Sequence, residues 1–229
     1  MVIGVIPARL ESTRFPRKIL FPIRNKPMII HVYERAIKSQ KLDRVIIAVD
    51  SQETIDALKN YDVEVMMTSL KHQSGTDRIA EAVENIDAEI IINIQGDEPM
   101  LDPKMIDDII SQFDDKTVKM ATLASTLITE DDFNNPNIVK VKIDENGNAV
   151  GFYREISGRT VQYFRHIGIY GYQKNTLEAF TRLKQSKNEQ LLHLEQLRAL
   201  DNKILIRVAM CNFPYRGIDI PEDLEQLNL

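Results

Sequence analysis

The chain has 229 residues, 43 % of them hydrophobic and 28 % charged, with a formal net charge of −5. That profile fits an ordinary globular protein of one domain, and the acidic balance speaks against nonspecific nucleic-acid binding, which needs a basic footprint. Cys211 is the only cysteine, which excludes an intrachain disulfide and a cysteine-based zinc site; Met1 leads straight into a strand pattern, with no leader and no apolar run of membrane-spanning length, so a cytoplasmic location is expected.

The apolar run at 2–6 reads as a buried parallel strand. It releases into a loop carrying Arg9, Arg14, Arg17 and Lys18 around Ser12 and Thr13, the donor set of a phosphate cradle at the carboxyl end of an α/β sheet. A solvated basic loop is the plainer reading of that segment taken alone. Residues 27–40 carry a helical apolar stripe that opens with proline, and 44–49 is a second buried strand. Asp50 and Ser51 offer N-caps for a short helix through residue 58. A strand at 63–67, a helix at 74–85 and the most apolar strand, 89–94, complete a β-α-β order that implies a parallel sheet with right-handed crossovers.

The second half changes character. Strands are expected at 120–127, 139–143, 149–153, 166–172 and 204–209, with the Asn-Gly pair of DENG making a tight turn. Helices are expected at 177–183 and 189–200, with a closing helix at 221–227. The meander at about 119–172 reads as a small β-rich subdomain inserted into a single domain spanning 1–229.

Two further constellations carry chemistry. HQSGTDR (72–78) opens a helix: Ser74 or Thr76 can cap it, Gly75 permits close approach of a ligand, and Arg78 can reach a phosphate or a base, the plainer alternative being a capped helix with a surface arginine. QGDEP (95–99) leaves the carboxyl end of the most apolar strand and brings Asp97 with it. Hard carboxylate oxygens there suit Mg²⁺, an ion that shares its shell with substrate phosphates, and Asp219, after the last strand, can converge on the same place. The histidines lack zinc spacing, and Cys211 reads as a small buried hydrophobe.

Taken in order, IPARLESTRFPRK, HQSGTDR, NIQGDEP, NPNIVKV, RHIGIYGY, LEQLRAL and GIDIPEDL resemble the 3-deoxy-manno-octulosonate (KDO) cytidylyltransferases, from residue 2 to about 227. The resemblance implies a Rossmann-like nucleotidyltransferase fold, with a central, mostly parallel sheet flanked by helices. It also implies a homodimer built through the inserted subdomain, and Mg²⁺-dependent transfer of CMP from CTP to a sugar acid for lipopolysaccharide synthesis. By resemblance, Arg9 and Lys18 meet the CTP phosphates with Ala8, Ser12 and Arg14; Ser74 and Arg78 meet the cytosine side; and Gln95 lies between nucleotide and sugar. Asp97 and Asp219 match the metal-binding acids; Arg154, His166, Tyr170 and Glu189 match the sugar side. Arg9, Lys18 and Asp97 are thereby the expected catalytic set.

Three departures from the family pattern lie in the second half: a shorter 151–159 segment without its proline, Leu192 in place of a glutamate, and Ile220 in place of a threonine. The nucleotide half matches throughout. The other readings are a cytidylyltransferase for a different sugar acid, for example an amino-substituted one, a uridylyl- or guanylyltransferase, and a diverged non-catalytic nucleotide-binding paralogue.

Overall fold

The computed structural model describes residues 1–11, 15–156, 163–213, 217–218 and 220–226. The chain gathers into two compact units, Met1–Asp107 with Tyr215–Leu229, and Asp108–Pro214. The second unit is wider than the 119–172 insertion expected from the meander, because it also takes in the helices and strand that follow it.

The first unit holds β1 (Val2–Ala8), a small hairpin of β2 (Pro22–Ile23) and β3 (Lys26–Pro27), α1 (Met28–Ala36), β4 (Arg44–Val49), α2 (Gln52–Leu58), β5 (Val65–Met67), α3 (Gly75–Val83) and β6 (Ile90–Asn93). Its strands run in the order β6-β1-β4-β5, all parallel, with Gly4 opposite both Val45 and Ile92. Ile3, Val5, Ile6, Ile46, Ile47, Ile91 and Ile92 are wholly buried, which is why these strands read as unbroken apolar runs rather than as alternating ones. The chain builds outward from β1 through β4 to β5, then returns to β6 on the other side of β1. That reversal leaves a crevice at the carboxyl ends of β1 and β6, the place where open parallel sheets bind ligands. The β2–β3 hairpin went unread because it is only two residues deep; its turn places Arg24 and Asn25 in the left-handed region.

The helix starts are chemically specified. Ser51 caps α2, its hydroxyl accepting from the Glu53 amide at 3.1 Å, and Ser74 caps α3, accepting from the Asp77 amide at 3.1 Å.

The chain enters the second unit through α4 (Pro103–Ser111). There follow β7 (Met120–Ser125), α5 (Glu130–Asn134), β8 (Lys140–Ile143), β9 (Ala149–Tyr153), β10 (Tyr163–Gln173), α6 (Lys174–Thr181), α7 (Lys187–Leu192), α8 (Gln196–Asp201) and β11 (Ile206–Cys211). β7 lies parallel to β11 and antiparallel to β10, and β10 continues antiparallel to β8 and β8 to β9. The DENG turn closes as expected, with Gly147 at φ 80. The helix expected over 189–200 is broken in two by His193, which sits in the left-handed region at φ 52.

Lys140 is completely buried in this unit. Its ammonium donates to the carbonyls of Asn135 (2.9 Å) and Arg154 (2.7 Å), and desolvation pulls its pKa below the usual lysine value. No described helix is long and apolar enough to cross a membrane.

Candidate active site

A cavity of roughly 350 Å³ lies at the carboxyl ends of β1 and β6. Arg9, Lys18, Ser74, Arg78, Gln95 and Asp97, all singled out from sequence, line it together. Ala8 is the last residue of β1 and fully buried, so its side chain packs inward. Ser12, Arg14 and Asp219 lie outside the described residues.

The phosphate side is organised by one turn. After β1 the chain reaches Arg17, in the left-handed region, and enters a 3-10 turn at Lys18–Leu20. Phe15 before the turn and Ile19 within it are both buried, which holds Lys18 in place. The Lys18 ammonium donates to the Asp97 carboxylate at 2.5 Å and to the Ile218 carbonyl at 2.7 Å, and the Ile218 amide donates back to the Asp97 carbonyl at 2.9 Å. Sequence reasoning treated Lys18 and Asp97 as separate contributors; the fold makes them an ion pair. Arg9 is solvent-exposed at the cavity wall. The walls come close because of two glycines. A β-carbon on Gly75 would lie 3.2 Å from Pro7 Cγ, and one on Gly96 would lie 3.2 Å from the Pro7 carbonyl.

On the opposite wall, Arg78 is held by the protein's own side chains. Its guanidinium is only 4 % exposed and is held by Asp50 (Nη2 to Oδ2, 2.9 Å) and by the Thr68 hydroxyl (Nη1 to Oγ1, 2.6 Å). It forms part of the cavity wall in a fixed position, rather than a mobile arm. Asp50, a helix-cap candidate by sequence, and Thr68, which carries no sequence signal, hold this wall. The available signal was position: Asp50 directly follows a central parallel strand. His72 pairs with Glu81 at the foot of the same helix, and the Ser69 amide and His72 together hold the Glu81 carboxyl below its usual range.

Two acids, Asp97 and Glu98, follow β6. Asp97 faces the cavity. Its neighbour Glu98 is buried, and neither of its carboxylate oxygens has a hydrogen-bond partner among the described residues. Burial, then the charge of Asp97, push the Glu98 carboxyl well above the usual range, with Lys18 opposing. No group of three or more His, Cys, Asp or Glu side chains gathers among the described residues. Mg²⁺ asks for less than that, taking one or two carboxylates and filling its shell with water and substrate phosphates, so the donor set fits it.

In the second unit the sugar-side expectations fall into two groups. His166 and Tyr170 meet, with His166 Nε2 at 3.1 Å from the Tyr170 hydroxyl and 3.0 Å from that of Thr122. Burial pushes the His166 ring down to about 3, so it is neutral at physiological pH. Burial raises the Tyr170 hydroxyl well above its usual value, helped by Tyr172 and Glu195. Arg154 and Glu189 have partners within the protein. Arg154 donates to the carbonyls of Leu192 (2.9 Å), Pro136 (3.0 Å) and His193 (3.2 Å). Both carboxylate oxygens of Glu189 are taken by Arg198, at 2.9 and 2.5 Å, and the same carboxylate closes a capping box with Ser186 at the start of α7. Arg198, in LEQLRAL, ties this side together, with the Glu195 carboxylate 3.5 Å from its Nη2. Cys211 is buried, in keeping with its reading as a small hydrophobe.

The parallel sheet flanked by helices, with its crevice at the strand ends, has the architecture of the α/β nucleotidyltransferases. The matches to known proteins narrow this: a family model described as cytidylyltransferase matches residues 3–206, and relatives named 3-deoxy-manno-octulosonate cytidylyltransferase match over nearly their whole length. The chain belongs to the 3-deoxy-manno-octulosonate cytidylyltransferase family. The relative from Thermodesulfovibrio yellowstonii is 45 % identical, with 98 % of this chain and 96 % of that protein covered; the one from Trichlorobacter lovleyi is 42 % identical at 98 % and 96 %. Among solved structures, CMP:2-keto-3-deoxy-manno-octonic acid synthetase complexed with CTP superposes with a TM-score of 0.93 at 36 % identity, covering 98 % of this chain and 95 % of that one. The inositol-1-phosphate CTP transferase from T. maritima, at 16 % identity, shares the fold with a TM-score of 0.71, covering 96 % of this chain and 90 % of that one. The fold is thus the mostly parallel, helix-flanked sheet of the nucleotidyltransferases.

Proposed function

We propose that the protein transfers CMP from CTP to the anomeric hydroxyl of KDO, giving CMP-KDO and pyrophosphate. The observation that carries this reading is the Lys18–Asp97 pair facing a cavity at the sheet's switch point, in a chain 45 % identical to a KDO cytidylyltransferase. The reaction is an in-line displacement at the α-phosphorus, which gains chiefly from positioning and from offsetting charge. Arg9 and Lys18 bind the phosphate chain and offset the charge that builds on the leaving pyrophosphate. The capped start of α3 and the fixed Arg78 form the base side, and Gln95 orients nucleotide against acceptor. Asp97, with Asp219, would hold Mg²⁺, which when bound supplies charge neutralisation at the phosphates and acidifies the attacking hydroxyl. On the acceptor side, the neutral His166 and the protonated Tyr170 offer hydrogen bonds to sugar hydroxyls, while Arg154 and Glu189 order the backbone around them.

The functional form is a homodimer that joins through the second unit. Cytoplasmic location and a place in lipopolysaccharide synthesis go with the same reading.

The test is pyrophosphate release with CTP, Mg²⁺ and a panel of sugar acids. KDO is expected to give the highest kcat/KM. Failure of KDO alongside turnover of another 3-deoxy sugar acid would remove the acceptor and keep the chemistry; no release with any acid would remove both.

A further inference from the structure

One carboxylate joins the two walls of the cavity. Asp50 follows the last residue of β4, and its side chain is only 9 % exposed. Its Oδ1 accepts from the Leu10 amide at 2.9 Å, and its Oδ2 accepts from Arg78 Nη2 at 2.9 Å. Leu10 follows Arg9, at the root of the basic loop. Arg78 belongs to α3, the opposite wall. The second arm of Arg78 donates to the Thr68 hydroxyl at 2.6 Å, and that hydroxyl donates to the Val49 carbonyl at 2.7 Å, closing a ring of contacts around the end of β4. Capping does not explain Asp50, because Ser51 already caps α2. Each oxygen of the carboxylate meets one wall, so the two walls share a single support.

We infer that Asp50 is a positioning residue for CTP. It fixes the root of Arg9 and the guanidinium of Arg78 at once, so that the phosphate and base ends of the nucleotide meet a preformed site. Buried charge-assisted hydrogen bonds are directional, and loss of one partner leaves the others unsatisfied in a poorly solvated place. Asp50→Asn keeps the acceptor for Leu10 but turns an amide donor toward Arg78, a donor facing a donor. The inference rests on the reading of this cavity as the CTP site, and the controls separate the two.

The experiment measures CTP dissociation constants by calorimetry in the presence of Mg²⁺, with KM values for CTP and KDO. Asp50→Asn is expected to weaken CTP at least tenfold while the KM for KDO stays within twofold. Thr68→Val, which removes the hydroxyl that anchors Arg78 and donates to the Val49 carbonyl but leaves Asp50 in place, is expected to weaken CTP about threefold. Ser51→Ala, which removes the neighbouring helix cap, is expected to lower the melting temperature and leave CTP affinity within twofold, so loss of stability alone does not imitate the effect. CTP affinity within twofold of wild type in Asp50→Asn overturns the inference, as does an equal rise in the KM for KDO. If Asp50→Asn does not fold, unchanged affinity in Thr68→Val overturns it instead. Arg9→Ala separates the readings: if it weakens CTP and the Asp50 and Thr68 variants do not, only the role of Asp50 falls; if none of the three does, the CTP site falls too.

Discussion

Asp97 pairs with Lys18 and is the proposed ligand of a divalent cation. Asp97→Asn is therefore expected to cut kcat by about 100-fold or more at saturating Mg²⁺. It is also expected to lose about 1–2 kcal/mol of stability, since Lys18 keeps a neutral acceptor where it had a charged one. Turnover assays and urea denaturation of the same variant check both, and near-full activity would take Asp97 out of the metal site. His166 sets a different expectation. In the unfolded chain its ring takes a proton near 6.5, whereas the native ring is held at about 3 by burial. Between those values the unfolded state binds more protons, so this contribution is complete above about pH 6.5 and is lost as pH falls toward 3. In His166→Gln, the fall in unfolding free energy between about pH 6.5 and pH 4 should be shallower than in wild type. Parallel curves for the two proteins would show that His166 does not carry that slope.

At the scale of elements, the break between α7 and α8 is the sharpest departure from the sequence pattern. LLHLEQLRAL keeps leucines at helical spacing and contains neither glycine nor proline, so nothing local marks a stop. What stops the helix is tertiary: Arg154 holds the carbonyls of Leu192 and His193, and Glu189 reaches across to Arg198. His193 then takes a left-handed conformation that glycine adopts without steric cost. His193→Gly is expected to gain up to about 1 kcal/mol, read as a rise of about 2–4 °C in melting temperature. Glu189→Gln is expected to lose about 1–3 kcal/mol in denaturant titration, because the buried Arg198 loses the carboxylate that meets it with both oxygens, and Glu195, 3.5 Å away, does not replace that geometry; an unchanged unfolding midpoint would show that Glu189 does not support α7 and α8. The same contrast governs what the sequence discloses. The parallel strands are legible because burial on both faces leaves uninterrupted isoleucine and valine, and the cradle is legible because its charges follow strand ends. The pairs Asp50–Arg78 and Lys18–Asp97 are not, since their partners stand 28 and 79 residues apart and only the sheet order brings them together. The two-residue hairpin at 22–27 is too short to leave a periodic trace.

For the whole molecule, the division into two units has a consequence for how ligand binding spreads. The described residues that line the proposed CTP cavity all belong to the first unit. CTP at about 100 times its dissociation constant stabilises the state that binds it by about 2.7 kcal/mol. Hydrogen–deuterium exchange is then expected to slow at Leu10, along α3 and after β6, while β8 and β9 keep their rates; equal slowing throughout would mean the units do not open independently. Lys140 gives a second view of the same question. A lysine whose nitrogen is spent on two carbonyls in a dry interior is invisible to an acylating reagent for as long as the structure around it stays closed. Tagged at Lys140 in native buffer and counted by mass spectrometry, the protein would record its own openings over hours, with no denaturant and no engineered probe.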